Sequence, residues 1–299
     1  MRERELDEFG SLFKRAIIPT IEVERIAIRD IVVLADFSER ARACGEVAAE
    51  LAARFGSRVS VRFLLRPAAA ARSQEAARLM ESIPGDEHRL FEGDPTLALN
   101  EITTREKPSL ILAPTPMTWG DESHETAALG EFVDRLLVAT AIPTLLLRTV
   151  PEESVFSRIL AKLPGGRHEL IEQFSIAFAL CRPGGSIRLL HVVDRDRLEA
   201  MAEALEIAPG IDTAGGSAEL ASALRVRMEQ LLRGAIHTAR DAAFEVEAAV
   251  ESGDPFEIAA RQARDRTLLI VGSQSHSEFL KSRAYEVIRN VPDIPVLAL

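Results

Sequence analysis

The sequence predicts an α/β protein written twice, each half a parallel five-stranded sheet covered by helices. Three observations carry this. Residues 87–113, "EHRLFEGDPTLALNEITTREKPSLILA", and 245–272, "EVEAAVESGDPFEIAARQARDRTLLIVG", share one plan: strand, Gly-Asp-Pro turn, short helix, apolar strand. The runs "IVVLA", "LILA", "LLIVG" and "PTLLL" are almost continuous Val, Ile and Leu, the mark of strands buried on both faces. Strands and amphipathic helices also alternate throughout, which gives parallel pairing with helices on both sides of the sheet.

The elements follow in order. Residues 29–65, "RDIVVLADFSERARACGEVAAELAARFGSRVSVRFLL", read as strand, turn, helix, glycine stop and strand, and 157–193 parallel them. Gly93 and Gly253 head the two later turns. Asp94 and Asp254 can cap the helices that follow, and Pro95 and Pro255 fall where a first helical residue tolerates proline. "AIPTLLLR" (141–148) and "DIPVLAL" (293–299) close the halves as fifth strands. The polar stretch "RTVPEES" (148–154) divides the chain into residues 29–150 and 155–299. Residues 1–28 precede the first repeat as an arm that packs on the two units, and 206–220 read as a loop into a long helix over 218–241.

Composition narrows the function. Of 299 residues, 47% are hydrophobic, enough for a sizeable core. The net charge of −10 disfavours nucleic acid and anionic membranes as partners, since both need a positive field. There is no apolar run long enough to span a bilayer and no apolar signal region at the start, so a cytoplasmic location is expected. Phe (13) outnumbers Tyr (1) and Trp (1), so the aromatics read as core filling. Cys44 and Cys181 read as free buried thiols of a reducing compartment.

The chemistry motifs are fragmentary. No GxGxxG follows a first strand, and the Gly165–Gly166 pair lacks P-loop spacing and reads as a turn. Asp36 ends the first strand at the carboxyl edge, where open α/β sheets bind ligands. It could accept from a ribose hydroxyl or an adenine amine, or it could serve the helix start with Ser38. Asp121, His124 and Glu125 in "GDESHE" could bind a metal, but a solvated acidic loop explains them more simply. Ser273, Ser275 and His276 lie where a phosphate would sit, either as a hydroxyl-rich anion cradle or as a plain polar loop. There is no Gly-x-Ser-x-Gly elbow and no Cys-His pair, so no catalytic residue is assigned.

Taken together, "IVVLADFSERA", the repeated "GDP" turn, "LLIVGS" and "IPTLLL"/"IPVLAL" resemble the universal stress protein family over about residues 29–148 and 156–299. The resemblance implies strand order 3-2-1-4-5 in each unit and pairing of the units through their fifth strands, here within one chain. It implies a binding or regulatory protein, not an enzyme, with protein partners and a homodimer open. Many members hold ATP with an aspartate ending strand one and a G-x-x-G, nine residues, G-Ser/Thr loop; others lack this loop and bind no nucleotide. Asp36 and Gly130 match parts of the pattern, but Ala113 and Pro116 stand in glycine places and Glu131 where Ser or Thr belongs. One like-charge contact of Glu131 with a triphosphate would cost about 4 kcal/mol at an effective dielectric of about 20. In the second half Gly272 matches the first glycine, Ser275 replaces the second, Tyr285 sits near the third, and Pro164 replaces the aspartate. The expectation is a universal-stress-type protein with ATP binding lost or altered, or alternatively an ATP or AMP switch using the first half. An ATP-pyrophosphatase-type enzyme would need an SGG-x-D-S loop, which "DFSERA" and "PGGRHEL" do not supply.

Overall fold

A computed structural model describes residues 21–119, 129–164, 167–194, 199, 216–240, 242–272, 282–291 and 294–299. The first half runs β1 (Asp30–Ala35), α1 (Glu39–Phe55), β2 (Arg58–Leu65), α2 (Ser73–Glu81), β3 (Glu87–Glu92), α3 (Pro95–Glu101), β4 (Leu110–Pro114), α4 (Glu131–Ala139) and β5 (Thr144–Leu147). The second half runs β6 (Arg158–Leu163), α5 (Arg167–Leu180), β7 (Ser186–Asp194), α6 (Gly216–Thr238), β8 (Glu245–Gly253), α7 (Pro255–Ala263), β9 (Leu268–Val271), α8 (Arg283–Asn290) and β10 (Val296–Ala298).

All ten strands form one sheet in the order β3-β2-β1-β4-β5-β10-β9-β6-β7-β8. Each half therefore has the 3-2-1-4-5 order, and the halves meet through their fifth strands. Every pairing is parallel except β5 with β10, where Val296 faces Leu146 and Ala298 faces Thr144. The continuous apolar runs predicted burial on both faces. β1 and β4 bear this out, as Ile31, Val33 and Leu112 enter the core on one face while Val32, Leu34 and Ile111 enter the core on the other.

The turn chemistry holds in detail. Gly93 and Gly253 take φ of 148° and 147°, a backbone that L side chains rarely adopt. The Asp94 side chain accepts from the Thr96 N–H at 2.8 Å, and Asp254 accepts from those of Phe256 and Glu257 at 2.8 and 2.9 Å. Cys44 and Cys181 are free and buried.

Residues 21–28, the part of the arm that is described, contact both halves. Ile21 and Ile28 are buried in the core shared by α1 and α5. The Thr238 hydroxyl donates to the Ile21 carbonyl and the Glu24 N–H donates to Ser175 Oγ, both in the second half. The Ser57 hydroxyl donates to the Ile28 carbonyl in the first half.

Arginines also lock the halves together. The Arg54 guanidinium, at the end of α1, donates to the carbonyls of Ala179, Leu180 and Cys181 at the end of α5. Arg148, just past β5, donates to Ile288, Arg289 and Val291 at the end of α8. Each places a cation on the negative end of a helix in the opposite half.

Tyr285 in α8 donates its hydroxyl to Asp134 of α4 at 2.7 Å, a further link across the seam. Burial, reinforced by this carboxylate, pushes its pKa up to about 12. Because Tyr285 is the only tyrosine, absorbance at 295 nm during an alkaline titration reads it alone. The expected midpoint lies well above the ordinary value near 10. Substituting Asp134→Asn should lower that midpoint, and Tyr285→Phe should cost about 1 kcal/mol in urea unfolding. A wild-type midpoint near 10 would show the hydroxyl to be solvated.

Candidate functional site at the carboxyl edge of the sheet

Open α/β sheets bind ligands beyond the carboxyl ends of their strands. In the first half that place begins with Asp36, which follows β1 and is 1% exposed. One carboxylate oxygen, Oδ1, accepts from the Ser38 N–H at 2.8 Å and the Ser38 hydroxyl at 2.6 Å. The other, Oδ2, accepts from the Thr118 N–H. Burial raises the Asp36 pKa, against these hydrogen bonds and the Arg40 charge, which lower it. Ser38 is the N-cap of α1 but forms no side-chain cap; its hydroxyl serves Asp36 instead. The carboxylate thus ties the start of α1 to the segment after β4.

That segment, residues 115–119, folds back over the strand ends. The Phe37 N–H donates to the Thr118 carbonyl at 3.3 Å, and the Thr115 hydroxyl donates to the Leu129 carbonyl at 2.8 Å. The Arg40 guanidinium donates to the carbonyls of Thr115, Pro116 and Arg148. Trp119 is 1% exposed. It packs edge-on to Phe132 at 5.4 Å, and the Arg66 guanidinium lies 4.1 Å over its ring. Arg66 directly follows β2 and Phe132 lies in the first turn of α4, so the tryptophan covers the edge between them.

The residues placed on the phosphate-loop pattern have other settings. Ala113 is a strand residue of β4, fully buried with its side chain in the core. The register pairs Ile31 with Leu110 and Ile159 with Leu268, so Pro114, one residue after Ala113, stands level with Gly272. Gly130 caps α4 with φ 87°. Glu131 pairs with Arg135 one turn on, exposed to solvent. Tyr285 points to Asp134, as described above. Ser273, Ser275 and His276 lie outside the described residues, as do Asp121, His124, Glu125, Gly165 and Gly166.

In the second half the edge is organised by Gln173 of α5, which is 3% exposed. Oriented to satisfy both neighbours, its amide donates to the Lys162 carbonyl at 2.8 Å and accepts from the Gly272 N–H at 3.0 Å. The N–H that a phosphate loop would offer is therefore engaged by the protein itself. A Cβ on Gly272 would sit 1.7 Å from the end of the Gln173 side-chain amide, so any side chain here would have to displace Gln173. Gly272→Ala is expected to cost about 2 kcal/mol in thermal unfolding, and Gln173→Ala in the same chain to recover part of it. Strict additivity of the two costs would mean that they do not touch.

Lys162, half-buried on β6, is held below the usual lysine range by burial, with Asp194 opposing the shift. Asp194 lies 3.8 Å from Arg283. Burial likewise lowers His191, whose Nδ1 is 3.2 Å from the Leu163 carbonyl. Sequence reading missed Arg40, Trp119, Gln173 and Lys162 as organisers of the edge. Only Trp119 carried a visible signal, as the single tryptophan set in an otherwise polar loop. Among the described residues no group of three or more His, Cys, Asp or Glu could hold a metal.

The fold is doubly wound α/β, two five-stranded units joined into one sheet, and it is the fold seen in universal stress proteins. Among solved structures the chain is similar to a universal stress protein from Archaeoglobus fulgidus, with TM-score 0.58 and 18% identity over 91% of this chain and 96% of that one. It is equally similar, at TM-score 0.58 and 18% identity over 91% and 92%, to a protein from Pseudomonas aeruginosa PAO1 described as functionally unknown. A putative universal stress protein from Pseudomonas aeruginosa UCBPP-PA14 gives TM-score 0.57 and 17% identity over 91% and 93%. No family model matches the chain, and no curated protein does. No helix among the described residues is long and apolar enough to cross a membrane.

Proposed function

We propose that the chain is a universal-stress-type regulatory protein that acts through its surfaces, without catalysis and without ATP. The observation that carries this is the engagement of Asp36: Ser38 and Thr118 donate three hydrogen bonds to its carboxylate, which is 1% exposed. Further support comes from Trp119 over the first edge and from Gln173 on the Gly272 N–H at the second. Engaged in this way, Asp36, Trp119 and Gln173 do not fit a nucleotide. Its partners are proteins of the cytoplasm, and the net charge of −10 disfavours nucleic acid and anionic membranes in their place.

The test is mass spectrometry of small molecules released from the purified, denatured protein, paired with thermal shift. The expected result is no stoichiometric nucleotide and no stabilisation by millimolar ATP or AMP. A ligand at a hundred times its dissociation constant would stabilise the fold by about 2.7 kcal/mol. Stoichiometric ATP, or a shift of that size with AMP, would replace this reading with a nucleotide switch.

A further inference from the structure

A cavity lies at the opposite edge of the sheet, at the seam between the halves. It measures about 60 Å³ and is lined by counterpart residues from the two halves, Leu110 with Leu268 and Leu145 with Leu297, together with Phe156 and Leu180. Its one hydroxyl, on Ser109, already accepts from the Arg29 and Asp30 N–H groups at 3.1 and 3.4 Å. Such a lining offers water few partners and suits an apolar guest.

The roof is the arm. Ile26, Ala27 and Ile28 wall the cavity from one side, and from the other they wall a surface groove lined by Arg25, Arg29, Arg54 and Phe55. The arm is anchored by the Glu24 N–H on one flank and by the Ile28 carbonyl on the other. Arg25 and Arg29 are exposed, whereas Arg54 is committed to the end of α5. Glu24 and Asp30 adjoin the two free-facing arginines in sequence but do not line the groove.

We propose that cavity and groove together bind an alkyl carboxylate, its tail under residues 26–28 and its head against Arg25 and Arg29. An apolar chamber separated from a cationic groove only by a three-residue roof matches the two ends of such an amphiphile. This site is independent of the carboxyl edge and of whether that edge takes a nucleotide.

The test uses the full chain, isotope-labelled at Ile and Leu methyl groups and titrated with hexanoate, hexan-1-ol and hexylammonium. Hexanoate is expected to shift the Leu110, Leu268 and Leu297 methyl signals saturably, about ten-fold more tightly than hexylammonium. Arg25→Glu with Arg29→Glu, on exposed side chains, should erase that preference, and Ala27→Trp should weaken all three ligands. Methyl signals unmoved by hexanoate would overturn the site. Equal affinity for hexanoate and hexylammonium, or a preference that survives the double substitution, would overturn the assignment of the head.

Discussion

Replacing Trp119 with alanine is expected to lower the unfolding free energy by about 3–5 kcal/mol, the range for emptying a fully buried large aromatic site. The side chain is 1% exposed, lies edge-on to Phe132 and carries Arg66 over its face, so its removal leaves both without their contact. The surroundings can collapse little, because Phe132 is fixed in α4 and the segment from 115 to 118 is held by Arg40 and Asp36. Urea unfolding followed by far-ultraviolet circular dichroism measures the loss, since the variant has no tryptophan left to report. Trp119→Phe should keep most of the stability. In the wild type, tryptophan emission reads this edge alone, because Trp119 is the only tryptophan. A loss below about 1 kcal/mol in the alanine variant would place the ring outside the core.

Asp36→Ala is expected to cost about 3 kcal/mol. It strands two backbone N–H groups and a hydroxyl that donate to the carboxylate, and an unpaired buried donor costs about 1–3 kcal/mol. The pH dependence has a definite sign. Burial raises the folded pKa above the unfolded value, so the folded state binds the proton more tightly. Ionised Asp36 therefore carries a penalty above its folded pKa, and that penalty is relieved as the pH falls toward the unfolded carboxylate range. The gap in urea midpoint between wild type and Asp36→Ala should accordingly widen from pH 7 to pH 4.5. A gap that narrows on acidification would mean that the hydrogen bonds outweigh burial and hold the carboxyl below its ordinary value.

The fold was legible because its signals are local and periodic. Continuous Val/Ile/Leu runs, the paired Gly-Asp-Pro turns and alternating helices fix the strands and much of their order. The Asp94 and Asp254 caps are found as their position before proline implies. The site was legible only as a set of positions. Asp36 was open between a ligand role and a structural one at the start of α1, and its contact with Thr118, 82 residues away, left no mark in the sequence. Ala113 illustrates the limit of motif alignment: the strand register moves the comparison by one residue, to Pro114, and turns the Ala113 side chain into the core. Gly272 shows the same limit, since a side chain there would displace Gln173, which no spacing rule links to it. Arg40, Arg54 and Arg148 act on backbone carbonyls 75 or more residues distant, and such partners leave no mark in a single sequence.

The antiparallel contact of β5 with β10 has a consequence for how the molecule can change. Two separate chains meeting this way would come apart on dilution, and identical chains would have to alter both edges together. Here the covalent link holds the partner strand at a fixed effective concentration however dilute the protein becomes. Each edge can then drift on its own. The first edge carries Trp119 and an arginine latch, the second Gln173 and the Asp194–Arg283 pair, on either side of one junction.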